Sequence, residues 1–90
     1  MILTLSSYRR AFRKLSEDQK EIVDGAAARL EAAFGMPHLH SGVGIRRFGK
    51  YFEARAGLDL RVLFIAQGAD FILVMVGNHD RIRSFIKETS

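Results

Sequence analysis

A chain of 90 residues, 48% of them hydrophobic, is long enough for one compact domain with a single core, so we treat residues 1–90 as one domain. It has no cysteine, which excludes disulfides, thiolate metal sites and cysteine nucleophiles. Its 14 Lys and Arg against 10 Asp and Glu give a net charge of +4, which favours polyanionic partners, although a basic surface that serves only solubility explains the charge equally well.

The N-terminal segment, MILTLSSYRRAF, does not have the order of a secretory signal, because its short apolar run comes before its basic residues. No apolar run in the chain approaches the length that spans a membrane. The sequence therefore predicts a cytoplasmic protein with no membrane partner.

The first part of the chain predicts a short edge strand followed by a helical hairpin. Residues 2–5 form the apolar run of the strand, and Ser6 and Ser7 are candidate N-caps for a helix over about 8–14. A capping box at 16–19 starts the second helix, which helical spacing of apolar residues extends from 17 to 34. The basic residues of the first helix favour a solvated face over a polyanion contact. They are Arg9, Arg10, Arg13 and Lys14.

The second part of the chain changes to strand-like periodicity after a loop over residues 35–44. Glycine-containing turns separate four apolar runs, and connections this short predict an antiparallel meander. A helix over about 80–87 closes the chain. The predicted fold class is therefore α+β, with an N-terminal strand and helical hairpin packed on the meander and a C-terminal helix. The four strands are 45–48, 51–56, 60–67 and 71–76.

Alternation along these strands predicts one wholly apolar face, which must lie against the helices. The other face is charged at one end, and we expect the C-terminal helix to cover its apolar end with Ile82, Phe85 and Ile86. The residues predicted for the apolar face are Phe52, Ala54, Ala56, Leu60, Val62, Phe64, Ala66, Phe71, Leu73 and Met75.

Strand pairing gathers cationic residues at one rim of the sheet. A two-residue hairpin between the last two strands sets Arg61 opposite Val76 and close to Asn78 and His79. A tight turn before that hairpin sets Arg55 directly opposite Arg61. Two arginines across a ladder repel each other unless an anion or a carboxylate lies between them. A guest phosphate explains the pair, and neutralisation by Glu53 or by the adjacent Asp59 explains it equally well.

His79 stands where the last strand ends and the closing helix begins. A lone histidine at that place is more often a turn residue than a catalyst, but the nearby arginines make it a candidate general acid or base for phosphodiester cleavage. Asp80 either caps the helix or raises the pKa of His79. His38 and His40 have no cysteine and no carboxylate at a familiar ligand spacing, so we predict no metal site and no cofactor.

The order of the motifs YFEARAG, LRVLF and VGNHD, with the KLSEDQ helix start and the Pro-His-Leu-His loop before them, resembles the RelE/ParE superfamily of bacterial toxin-antitoxin toxins. The resemblance implies a toxin that binds in the ribosomal A site and cleaves mRNA without a metal, and that a cognate antitoxin holds inactive. It implies Arg61 as the stabiliser of the transition state and His79 as proton donor or acceptor. Glu53, a candidate base, and Arg55 match positions near the family's site.

Four further residues are predicted to bind RNA: Arg46, Arg47, Lys50 and Arg81. The chain departs from some ribosome-dependent members at two places. Those members carry lysines on the strand that here begins with Tyr51, where Lys50 is the candidate replacement, and a tyrosine in the last helix, where this chain has Phe85. A ParE-like protein that poisons DNA gyrase by contact, and a fold relative without toxicity, are the alternative functions.

Overall fold

The computed structural model describes residues 1–33 and 44–89, and the predicted end of the second helix at Phe34 and the loop with His38 and His40 lie outside them. The strands form one sheet in the order β1-β5-β4-β3-β2, in which β1 is parallel to β5 and the other neighbours are antiparallel. The α+β class, the edge strand and the meander are confirmed. The elements are β1 (Ile2–Thr4), α1 (Ser6–Arg13), α2 (Glu17–Ala33), β2 (Ile45–Phe48), β3 (Tyr51–Ala56), β4 (Leu60–Gln67), β5 (Asp70–Gly77) and α3 (His79–Thr89).

The two N-terminal helices begin in different ways. The capping box of α2 is confirmed, since the Ser16 amide donates to Gln19 Oε1 over 2.9 Å and the Gln19 amide donates to Ser16 Oγ over 3.1 Å. The predicted caps of α1 are wrong. Leu5 occupies its N-cap without a side-chain hydrogen bond, and the Ser7 hydroxyl instead donates to the carbonyl of Val74 over 2.6 Å, which fastens α1 to β5.

Removing the capping hydroxyl of α2 by Ser16→Ala is expected to lower the free energy of unfolding by about 1 kcal/mol, because the Gln19 amide loses its acceptor. The urea midpoint, at constant m, measures the change. Ser84→Ala is the matched control, since Ser84 is exposed on α3 and alanine suits a helix interior. An equal loss in both variants would contradict the capping role.

Each face of the sheet has its own core. Helices α1 and α2 cover one face, where the buried cluster includes Tyr8, Val23, Leu30, Phe64 and Phe71. Burial, reinforced by Asp24, raises the pKa of Tyr8 to about 12. Helix α3 covers the other face as predicted, with Ile82 buried and Phe85 and Ile86 packed against the second cluster. The buried members of that cluster are Tyr51, Leu63, Val74, Met75 and Ile82.

A β-bulge in β5 changes the predicted register. Leu63 pairs with Met75 but Phe64 pairs with Leu73, so Val74 is an extra residue in β5. Past the bulge every side chain of β5 changes face: Met75, predicted for the helix-covered core, lies in the second cluster. The predicted pairing of Arg61 with Val76 is therefore wrong, and Arg61 pairs with Gly77.

Candidate functional site

The strand-to-helix junction after β5 fixes the position of His79. Asn78 caps α3, because its Oδ1 accepts the Arg81 amide over 2.8 Å and its carbonyl accepts the Ile82 amide over 3.0 Å. Asp80 lies in the first turn of α3, where a carboxylate suits the positive end of the helix. The N-cap of α3 is therefore Asn78 and not Asp80, the candidate from the sequence, and His79 is the first residue of the helix.

A cleft of about 690 Å³ opens at this junction, between the β3–β4 turn, the end of β5 and the start of α2. It brings Arg61 and His79 together, as the strand pairing predicted, and adds Arg81. The strand pairing also placed Asn78 near Arg61, and the structure finds it in the cleft. The sequence did not predict five of the lining residues for the site: Leu15, Gln19, Leu58, Leu60 and Gly77. The glycine and asparagine of VGNHD carried a local signal, typical of a turn and a helix cap. The lining residues are Leu15, Gln19, Leu58, Asp59, Leu60, Arg61, Gly77, Asn78, His79, Asp80 and Arg81.

The charges that line the cleft are balanced. Arg61 and Arg81 supply two positive groups, Asp59 and Asp80 supply two negative groups, and His79 is exposed to solvent beside them. The cleft therefore offers directed cationic donors and an imidazole, but no excess of positive charge in its own walls.

Arg61, which lines this cleft, is held by two kinds of contact. Its Nη1 donates to the carbonyl of Leu60 over 2.9 Å, and its Nε lies 3.7 Å from Glu53 Oε1. Glu53 is only 2% exposed and does not line the cleft. Its second oxygen, Oε2, is buried without a hydrogen-bond partner among the residues that the structure describes.

Arg55 and Arg61 pair directly across β3 and β4, which confirms that part of the predicted register. The side chains nevertheless have different surroundings, because Arg61 is 18% exposed beside Glu53 while Arg55 is exposed and does not line the cleft. The carboxylate of Glu53 accordingly lies near one member of the repelling pair, as one of the two sequence-based explanations requires.

Three of the predicted RNA-binding residues lie on β2 and the turn that follows it, apart from the cleft. Arg46 is exposed on β2. Arg47 donates through Nε to the carbonyl of Gly49 over 3.0 Å and stacks over the Phe52 ring at 5.4 Å. Lys50 Nζ lies 5.2 Å from the centre of the Tyr51 ring. The structure thus brings only Arg81 of this predicted set into the cleft.

Gly77 keeps open the space next to Arg61. It stands directly across the ladder from Arg61, and a Cβ atom at this position would lie 2.8 Å from Cγ of Arg81 and 3.0 Å from its Cβ. The absent side chain therefore lets Arg81 pass over β5 toward the cleft. The bulge is the cause, because without it Val76 would face Arg61.

Neither a metal cluster nor a membrane helix is found in the described part of the chain. Residues 1–33 and 44–89 contain no group of three or more His, Cys, Asp or Glu side chains that could hold a metal ion. Within the same residues, no helix is both long and apolar enough to cross a membrane.

No protein-family model matches the chain, and no curated protein is significantly similar to it. Solved structures do match. YafQ from E. coli has a TM-score of 0.71 at 9% identity, over 91% of this chain and 96% of that chain. The isolated E. coli RelE toxin has a TM-score of 0.65 at 9% identity, over 100% of this chain and 98% of that chain. The toxin of the RelB–RelE complex from Methanococcus jannaschii has a TM-score of 0.65 at 14% identity, over 92% and 96%.

This chain has the RelE fold. The likeness covers 91 to 100% of this chain and 96 to 98% of the other chains, so it concerns the fold as a whole. At 9 to 14% sequence identity the likeness shows a shared fold and no shared activity, because one fold hosts many functions. The activity of this chain depends on its own site residues.

Proposed function

We propose that this protein is the toxin of a type II toxin-antitoxin system and that it cleaves mRNA on the ribosome without a metal ion. The observation that carries the proposal is the cleft that joins Arg61 to His79 on a RelE fold. A cationic donor and a titratable imidazole in one open cleft are what phosphodiester cleavage by an RNA's own 2′-hydroxyl needs from a protein.

The reaction that we propose balances without a cofactor. The ribose 2′-oxygen loses its proton and bonds to the adjacent phosphorus, and the bond from phosphorus to the 5′-oxygen of the next nucleotide breaks. One proton leaves the nucleophile and one reaches the leaving oxygen, so the products are a 2′,3′-cyclic phosphate and a 5′-hydroxyl. His79 transfers one of these protons, and the Arg61 guanidinium stabilises the negative charge that grows on the phosphoryl oxygens.

Glu53 acts in this scheme through Arg61. It is buried outside the cleft, so it is placed to hold the guanidinium rather than to take a proton from RNA. A carboxylate 3.7 Å from Nε, with the carbonyl of Leu60 at 2.9 Å from Nη1, limits the directions in which the remaining N–H groups point. Glu53 is accordingly proposed as a positioning residue.

Glu53→Gln is expected to lower kcat for mRNA cleavage by about tenfold, since it keeps the shape of the side chain but removes the charge that orients Arg61. The informative measurement is the dependence of kcat on pH. If Glu53 only positions Arg61, the variant keeps the acidic limb of the wild-type profile. Loss of that limb would instead identify Glu53 as the base that the sequence suggested.

A cognate antitoxin is part of the proposal. The RelE neighbour from Methanococcus jannaschii was solved as a RelB–RelE antitoxin-toxin complex, which supports a protein partner for this fold. A short reading frame next to the gene, encoding a protein that binds this chain and relieves its toxicity when both are expressed, is the expected finding.

Induced expression followed by primer-extension mapping of mRNA ends tests the activity. We expect growth arrest together with new 5′ ends inside translated reading frames. Arrest with intact mRNA and blocked gyrase supercoiling would overturn the ribonuclease proposal in favour of the gyrase alternative, and normal growth would favour a relative without toxicity.

A further inference from the structure

A second groove, of about 360 Å³, runs beside the cleft between α1 and α3. Met75 and Val76 of β5 line it together with side chains from both helices, and Arg81 lines both the groove and the cleft. The two depressions are therefore neighbours that share one arginine.

The groove has the excess of positive charge that the cleft does not have. Arg10 lines it from α1, Lys14 from the position directly after α1, and Arg81 from α3. Glu88 is the single acidic residue among the described residues that line it. The sequence favoured a solvated face for the basic residues of α1. Arg10 and Lys14 are indeed exposed, but the fold places them along a concave surface that leads to Arg61 and His79.

The walls of the groove are firm and partly apolar. The hydrogen bond from the Ser7 hydroxyl to the carbonyl of Val74 holds α1 against β5, and packing in the second core holds α3. Phe85, which stands where the family resemblance implies a tyrosine, is partly buried and lines this groove rather than the cleft. An aromatic ring and cationic side chains in one groove are a combination that binds single-stranded nucleic acid, because bases stack on the ring while phosphates contact the cations.

We propose that single-stranded RNA continues from the cleft into the groove between α1 and α3, where Arg10 and Lys14 contact its phosphates. The inference rests on the proposed function, since the groove serves a strand whose scissile phosphate lies at Arg61. It adds a binding surface that the family resemblance did not assign. In this arrangement the cleft, whose charged residues balance, is where the RNA is cleaved. The groove, which has an excess of positive charge, supplies the electrostatic attraction for the RNA backbone.

The test is binding of a fluorescent ten-nucleotide oligouridine, followed by anisotropy at several salt concentrations. The double variant Arg10→Gln/Lys14→Gln is expected to bind about tenfold more weakly at low salt. Its plot of log affinity against log salt should be shallower by about 1.4, because two phosphate contacts of a single strand are lost. The matched control is Lys20→Gln/Arg29→Gln, which removes two positive charges from α2 at residues that line neither depression. It should change affinity by less than about twofold.

A variant of opposite sign separates the groove from general charge. Glu88→Gln removes the acidic residue that lines the groove and is expected to strengthen oligouridine binding about two- to threefold. Weakened or unchanged binding in this variant would count against the groove. A synthetic decaglutamate serves as a second probe, which stands for an acidic protein segment. If Arg10→Gln/Lys14→Gln weakens binding of decaglutamate but not of oligouridine, the groove binds an acidic protein segment and the RNA assignment is overturned.

Cleavage of mRNA on translating ribosomes distinguishes failure of this inference from failure of the proposed function. We expect the Arg10→Gln/Lys14→Gln loss to appear as an increase in KM rather than as a decrease in kcat. A wild-type chain that neither binds oligouridine nor cleaves mRNA overturns both proposals. If the wild type does both and the double variant matches its control, the groove alone is wrong.

Discussion

Arg61→Gln is expected to lower the rate of ribosome-dependent mRNA cleavage by about 10² to 10³, because one preorganised donor to the transition-state oxyanion is lost. Fold and antitoxin binding should be retained, since glutamine keeps a side-chain amide that can still donate to the buried Glu53. Reconstituted translation, with cleavage of a defined mRNA followed in time, measures the rate.

His79→Ala should lower the cleavage rate by a similar factor, because general acid or base catalysis typically contributes about 10² to 10⁴ in rate.

Arg29→Gln is the control for this prediction. It removes the same charge from α2 without touching the cleft, so it should leave the rate within about twofold of the wild type. Arg55→Gln is the informative second arm. Arg55 is the cross-strand partner of Arg61 but is exposed and outside the cleft, so a small loss would mean that the two arginines have separate tasks. A loss as large as that of Arg61→Gln would show that both contact the phosphate.

Ile82→Ala is expected to lower the free energy of unfolding by about 2 to 5 kcal/mol, which is the largest stability effect that we predict. Ile82 is fully buried, at 0% exposure, and belongs to the cluster by which α3 covers its face of the sheet. The same helix carries His79 and Arg81, so cleavage should fall together with stability. Urea unfolding of the purified chain measures the change.

Ile22→Ala makes the same deletion on α2, at a side chain that is 44% exposed, and should cost less than about 1 kcal/mol. The comparison tests whether the second core is a real stabilising unit. Equal and small losses in both variants would mean that α3 contributes little to the fold, and the cleft would then lack a firm wall.

Patterns of local origin could be read from the sequence with good accuracy. The capping box at Ser16 and Gln19 needs only four neighbouring residues, and the turn at 57–59 alone sets Arg55 opposite Arg61. Alternation placed Phe64 and Phe71 on the core face, and helical spacing gave the buried side of α3. Each of these features depends on residues that are close together in the chain, so the period of the pattern is enough.

The bulge at Val74 has no such local signal. Its segment, Phe71 to Val76, is apolar throughout, so moving one residue to the other face exposes nothing and changes no pattern. For the same reason the sequence put Met75 in the wrong core and Val76 opposite Arg61. Only packing against helices on both faces selects the register in which both clusters are filled.

The α+β class, the meander and the rim that Arg61 and His79 share can all be predicted from the sequence, because turns and periodicity depend on short segments. Three further features of that rim depend on the tertiary structure. Gly77 lies across the ladder from Arg61 and leaves space beside it, Glu53 is buried 3.7 Å from the Arg61 guanidinium, and Arg10 and Lys14 line a groove next to the cleft. All three depend on how residues far apart in the chain pack together, and no local pattern records that packing.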